Sequence, residues 1–211
     1  DGDFLYRKYS IDNKFTYFQG KHIVEAGIGA DFMETTINFN FEFDEQVRAL
    51  FASNPQFRAV FDNLKDVKQY NRYRAYVQDN LKLTNRITLQ PSLRLDYYNI
   101  LKKAYLAPRI SLSYAIDDIT TIRAVWGMYF QSPGYEKLLD QGILYDLSDQ
   151  FTNQLNAERA FHYVLGVERW LSSEWSVRFE SYYKDFSDLC IHQVVKVNRF
   201  FIEPIASNDQ R

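Results

Sequence analysis

The residues with the widest chemical range are few and scattered. Three histidines, His22, His162 and His192, and one cysteine, Cys190, stand far apart in a chain of 211 residues. None falls into the HExxH or CxxC spacing that brings metal ligands together on one element. His162 shares a strand face with Glu168, but one imidazole beside one carboxylate is not a ligand set, and packing on that face is the simpler role. Cys190 reads as a free thiol at a strand–loop junction, and a single cysteine allows neither an intrachain disulfide nor a Cys-based zinc site. The carboxylates of Asp117-Asp118 are adjacent, yet they stand in a short polar stretch where Asp is favoured for its turn geometry. The 8 glycines are dispersed, so no loop cradles a phosphate, and there is no G-x-S-x-G elbow. No catalytic residue, metal or cofactor is expected, and the chain is not read as an enzyme.

What does recur is charge at every second position. Arg72, Arg74, Arg94, Arg109, Arg123 and Arg178, with Glu180, alternate with apolar residues along their segments. From 87 to 97 the odd positions read Ile87, Leu89, Pro91, Leu93, Leu95, Tyr97, while Thr88, Gln90, Ser92, Arg94 and Asp96 fall between them. Successive side chains of a strand point to opposite faces, so one face is apolar and the other polar. The same pattern returns around 73–83, 109–116, 122–131, 161–168 and 175–184, with earlier strands around 3–18 and 22–41. In the last of these the apolar phase changes between Phe32 and Ile37, which predicts a bulge. The arginines and Glu180, with Lys82, Asp96 and Lys184, would then line one wetted wall. The favoured reading of that wall is a mutual ion-pair ladder, because neighbouring strands set Arg beside Asp or Glu. The other is a positively biased surface that guides an anionic solute.

The connections alternate in length. Phe18–Lys21, Thr84–Arg86, Asp117-Asp118 and Ser172–Glu174 read as tight hairpin turns, whereas about 43–69, 101–106 and 132–156 are longer links. Within 43–69, Asp44 followed by Val47, Leu50 and Phe51, then Phe57, Val60 and Phe61, predicts a short helical segment. Short turns at one end and long loops at the other suit an outer-membrane barrel. Strands of about ten residues exceed the usual soluble length of five to six. Aromatics make up 17% of the chain, and many stand near strand ends: Tyr97, Tyr98, Trp126, Phe130, Trp170, Trp175, Tyr182, Tyr183 and Phe186. Interfacial aromatic girdles account for them. No apolar run is long enough for a membrane helix, and a net charge of −2 gives no case for nucleic-acid binding. A soluble β-sandwich or small barrel used for adhesion or surface binding is the competing architecture. Tyr135, Tyr145 and Phe151 in the 132–156 loop are the candidates for contact with an extracellular small solute.

Several stretches resemble the barrel of TonB-dependent outer-membrane receptors. Tyr76-Val77-Gln78-Asp79, Leu83-Thr84 and Ser92-Leu93-Arg94-Leu95-Asp96 are similar to one family hairpin, with Ser92 where glycine is frequent. Ala107-Pro108-Arg109 with Tyr114, and Thr121 with Arg123, Gly127 and Pro133, match the next strands. Ala157-Glu158-Arg159-Ala160 with Gly166 and Glu168, and Tyr182-Tyr183 with Leu189, follow in the family's order. The resemblance implies an all-β, antiparallel transmembrane barrel in the bacterial outer membrane, of which this chain supplies about eight or nine strands out of about 22. Residues 1–211 would all be barrel, without the plug domain through which the TonB complex acts. It further implies energised uptake of a scarce solute such as a ferric siderophore, with outer-membrane lipid, the TonB complex and the solute as partners.

Overall fold

The computed structural model describes residues 2–39, 45–46, 49, 65–133, 152–196 and 202–208. Eight antiparallel strands form one sheet in chain order: β1 (Gly2–Gln19), β2 (His22–Phe39), β3 (Lys65–Lys82), β4 (Ile87–Tyr98), β5 (Lys103–Ala115), β6 (Thr120–Gln131), β7 (Glu158–Trp170) and β8 (Ser176–Ser187). Each pairs only with its sequence neighbours, so β1 and β8 are open edges of this sheet. Where eight or nine strands were expected in all, two more follow β8: β9 (Cys190–Lys196) and β10 (Ile202–Asn208). These two pair with each other in a separate hairpin.

The short turns owe their shape to side chains that satisfy their own backbone. Thr84 Oγ1 accepts from the N–H groups of Arg86 (3.1 Å) and Ile87 (3.0 Å). Ser172 Oγ does the same for Glu174 and Trp175, both at 3.2 Å, and Asp117 Oδ1 accepts from Ile119 N at 3.0 Å. These are the polar turn residues that compete with the strand ladder, and here they end it. Gly20 supplies a φ of 57° in the first turn.

Three expectations change. The β2 register runs without interruption against both neighbours, from Gly2↔Phe39 to Gln19↔His22 and from His22↔Leu81 to Asn38↔Lys65, so there is no bulge. The apolar phase shifts because the surroundings do. Beyond Phe32 the outward positions carry Glu34 and Thr36, while Met33 and Thr35 turn into the packed side. The link expected at 101–106 is a tight turn over 99–102, closed by Leu101 N to Tyr98 O and Lys102 N to Asn99 O, and β5 starts at Lys103. Ile100 and Leu101 bury themselves against Tyr70, Tyr98, Leu155 and Ala157, which holds this turn down on the sheet. β3 likewise begins at Lys65, inside the stretch expected as loop. Most of the predicted helical segment lies outside the described residues, where only Glu45, Gln46 and Ala49 are described and have helical backbone.

The two faces differ as the alternation requires. On one, Leu93, Leu95, Ile110, Leu112, Leu165 and Phe179 stand exposed. Aromatics cross it in rows, with Tyr73 stacked on Tyr97 and Tyr163 beside Tyr183 at 6.0 Å. Tyr98, Phe130, Trp170, Tyr182 and Phe186 depart from the expected girdle. Tyr98 is buried on the polar face and donates to Phe130 O, Trp170, Tyr182 and Phe186 have the polar-face parity, and Phe130 packs on Tyr105. Two prolines mark gaps in the ladder. Opposite Pro91 the β3–β4 pairing omits Asp79 and Asn80. The β5–β6 pairing stops at Arg109↔Gly127, one residue short of Pro108, which has no N–H to donate.

Candidate functional site

The polar face gathers the charged residues into linked clusters. At its β1–β3 corner, Arg74 pairs with both Asp12 and Asp31, while Ser10 Oγ donates to Asp31 at 2.7 Å and Lys8 approaches it at 3.4 Å. Asp31 is 1% exposed, so a carboxylate is buried among two cations and a hydroxyl. Next along, Glu25 takes Lys14 at 2.7 Å and Gln78 at 2.6 Å. Asp96, 3% exposed, accepts from Arg72 at 2.9 Å and from Arg94 at 2.7 Å. Towards β8, Glu168 is held between Arg123 and Arg178, each at 3.0 Å.

Glycine makes the longest of these links. The register sets Asp12, Gly29 and Arg74 in one line across β1, β2 and β3. With no side chain on Gly29, Arg74 lies across β2 and reaches the carboxylate two strands away; a Cβ there would stand 2.8 Å from Arg74 Nε. Tyr76 lies over Gly27 in the same way. Across β5, β6 and β7, Gly127 separates Arg109 from His162, and the Tyr129 ring fills the place. Its centroid is 4.1 Å from the Arg109 guanidinium carbon and 4.3 Å from the His162 ring centroid.

Arg72, Arg74, Arg94, Arg109, Arg123, Arg178 and Glu180 all take register positions of this one face. Arg72, Arg74, Arg94, Arg123 and Arg178 meet a carboxylate, Arg109 stacks on Tyr129, and Glu180 stands exposed near Arg178. Tyr135, Tyr145 and Phe151 lie outside the described residues. His162 faces Lys184 on β8 rather than a carboxylate, and His22 Nδ1 meets Asp79 at 2.6 Å near the short-turn end. Among the described residues no group of three His, Cys, Asp or Glu side chains comes together to hold a metal. The inventory of single residues missed Asp12 and Asp31, whose part depends on glycines within strands: Ala26-Gly27-Ile28-Gly29-Ala30 is the signal.

The sequence matches the family model "TonB dependent receptor-like, beta-barrel" over residues 1–195. No curated protein matches it. Among solved structures it is similar to the siderophore receptor PirA from Pseudomonas aeruginosa, with 17% identity, TM-score 0.62, and coverage of 96% of this chain and 34% of that one. The siderophore receptor PirA from Acinetobacter baumannii gives 12% identity, TM-score 0.68, and coverage of 99% and 33%. The FrpB iron transporter from Neisseria meningitidis (F3-3 variant) gives 17% identity, TM-score 0.65, and coverage of 96% and 31%. The chain therefore spans about a third of the length of these structures. At such identities the likeness is one of fold.

Proposed function

Because the chain belongs to the TonB-dependent receptor β-barrel family, we propose that it forms about a third of the wall of an outer-membrane transporter that takes up a scarce solute such as a ferric siderophore. The apolar face meets outer-membrane lipid and the polar face lines the lumen. The long connections at the end opposite the short turns are extracellular, and Tyr135, Tyr145 and Phe151 contact the solute there. A plug elsewhere in the protein fills the lumen and couples to the TonB complex. The wall performs no covalent chemistry; it encloses a wet path and positions the plug.

One observation carries this reading: large apolar side chains stand exposed along one face, while on the other Asp31 and Asp96 are buried in ion pairs with Arg74 and Arg72. Water on both sides would favour the reverse, and a membrane outside with a filled polar interior favours what is seen. The test is uptake of a labelled ferric siderophore by cells carrying the full-length protein, with and without TonB. Uptake that disappears without TonB supports the reading. Uptake indifferent to TonB, or a full-length protein that stays monodisperse without detergent, would overturn it.

A further inference from the structure

The apolar face is uneven where two register rows lie side by side across β4–β8. Leu89, Leu112, Ala124, Leu165 and Ser181 form one row, each directly opposite the next. Ile110, Trp126, Tyr163 and Tyr183 form the other, two residues nearer the long-loop end of each strand. The first row contains the small side chains of Ala124 and Ser181, while the second is large throughout. Trp126 is braced by Phe161 at 6.3 Å and Tyr163 by Tyr183 at 6.0 Å, so the second row stands as an aromatic ledge above the first. Together they border a recess of about 530 Å³.

Its proportions select the occupant. Rows two residues apart are separated by about 7 Å, and five strands span about 19 Å, so the recess is long and narrow. A helix about 10–12 Å across would ride on the ledge without entering, whereas a single extended hydrocarbon chain fits. Its direction selects a lipid tail. Leu89 stands two residues from the short-turn end of β4, but Ser181 stands five beyond the start of β8. The recess thus begins near one rim and climbs towards the middle of the apolar belt, as a tail does from its headgroup. At the lower end, Tyr114 stands exposed beside Ile87. Arg86 is exposed in the turn below and, among the described residues, pairs with no carboxylate. A phenol and a cation at that level suit a lipid phosphate.

We infer that the recess over Ala124 and Ser181 holds one acyl chain of a phospholipid, with its headgroup phosphate at the short-turn rim beside Arg86 and Tyr114. That lipid is a fixed partner of the wall, distinct from the exchanging bilayer around it. The inference rests on the apolar face being the membrane face, as proposed above.

The test is native mass spectrometry of the full-length protein in detergent, titrated with dioleoyl phosphatidylglycerol. The wild type should take up a first lipid well before a second. A124F fills the floor of the recess and should weaken that first binding about tenfold, the worth of about two buried methylenes. R86Q should weaken it about fivefold. A75F sets the same ring on the apolar face of β3, away from the recess, and should bind as the wild type does. Lipids that add statistically, or a first lipid held equally by A124F, would overturn the inference. So would a wild-type dimer that A124F dissociates, since a second copy would then cover this face. A full-length protein that stays monodisperse without detergent would sink the membrane reading itself, a failure visible before any lipid is added.

Discussion

Arg74 spans two strand gaps because the residue between is glycine, and its removal strands a buried charge. Asp31 at 1% exposure has only Lys8 and Ser10 to fall back on. Arg74→Ala is therefore expected to cost about 3–5 kcal/mol, read as a lower midpoint in denaturant unfolding of the refolded protein. Gly29→Val should cost about 1–3 kcal/mol by forcing that arginine off its path. Gly20→Ala has open space around it and should lose only about 1–2 kcal/mol through its positive φ. The arginine row itself was legible from period-2 alternation, because parity assigns a face without any structure. The partners were not, since they depend on register between strands. Asp12 and Arg74 are far apart in the chain and meet only through Gly29.

At the scale of the hairpin, the short turns are set by Thr84, Asp117 and Ser172, and the sequence shows all three plainly. The Asp117 carboxylate accepts from the Thr120 hydroxyl and the Ile119 N–H, with Arg169 nearby, which hold it below the ordinary carboxylate range. That stabilisation is fully present above the ordinary value of about 3.9 and is lost as the pH falls through the lowered one. Amide exchange at the β5–β6 turn should consequently speed up in acid relative to the β3–β4 turn. D117N should abolish that difference, and an unchanged acid response in D117N would remove the assignment. The turn at 99–102 was less readable. Ile100 and Leu101 look like ordinary apolar residues until Tyr70 and Leu155, from distant segments, pack against them. The gaps opposite Pro91 and Pro108 follow from the missing N–H, but which neighbour loses the bond depends on the pairing.

For the whole sheet, the two faces predict opposite responses to the same charge. Leu112→Arg places a cation on the apolar face and should destabilise the full-length protein in bilayers by about 2–4 kcal/mol. Ser111→Arg, one residue away, enters the space beside Gln90 and should cost far less; equal losses from both would contradict the assignment of faces. A mechanical consequence follows from the proline gap between β5 and β6. A cylinder pressed outward from within carries the load as hoop tension, and in a β wall the ladder hydrogen bonds, which cross the strands, run largely along the hoop. Around β1–β3 the hoop is continuous and strapped by Arg74. Beyond Arg109↔Gly127 it is a seam, bridged by Tyr98 to Phe130 O at 3.1 Å and by the Tyr105–Phe130 ring contact. Under load the wall would part there first, like a barrel whose staves are bound at one rim and merely touch at the other.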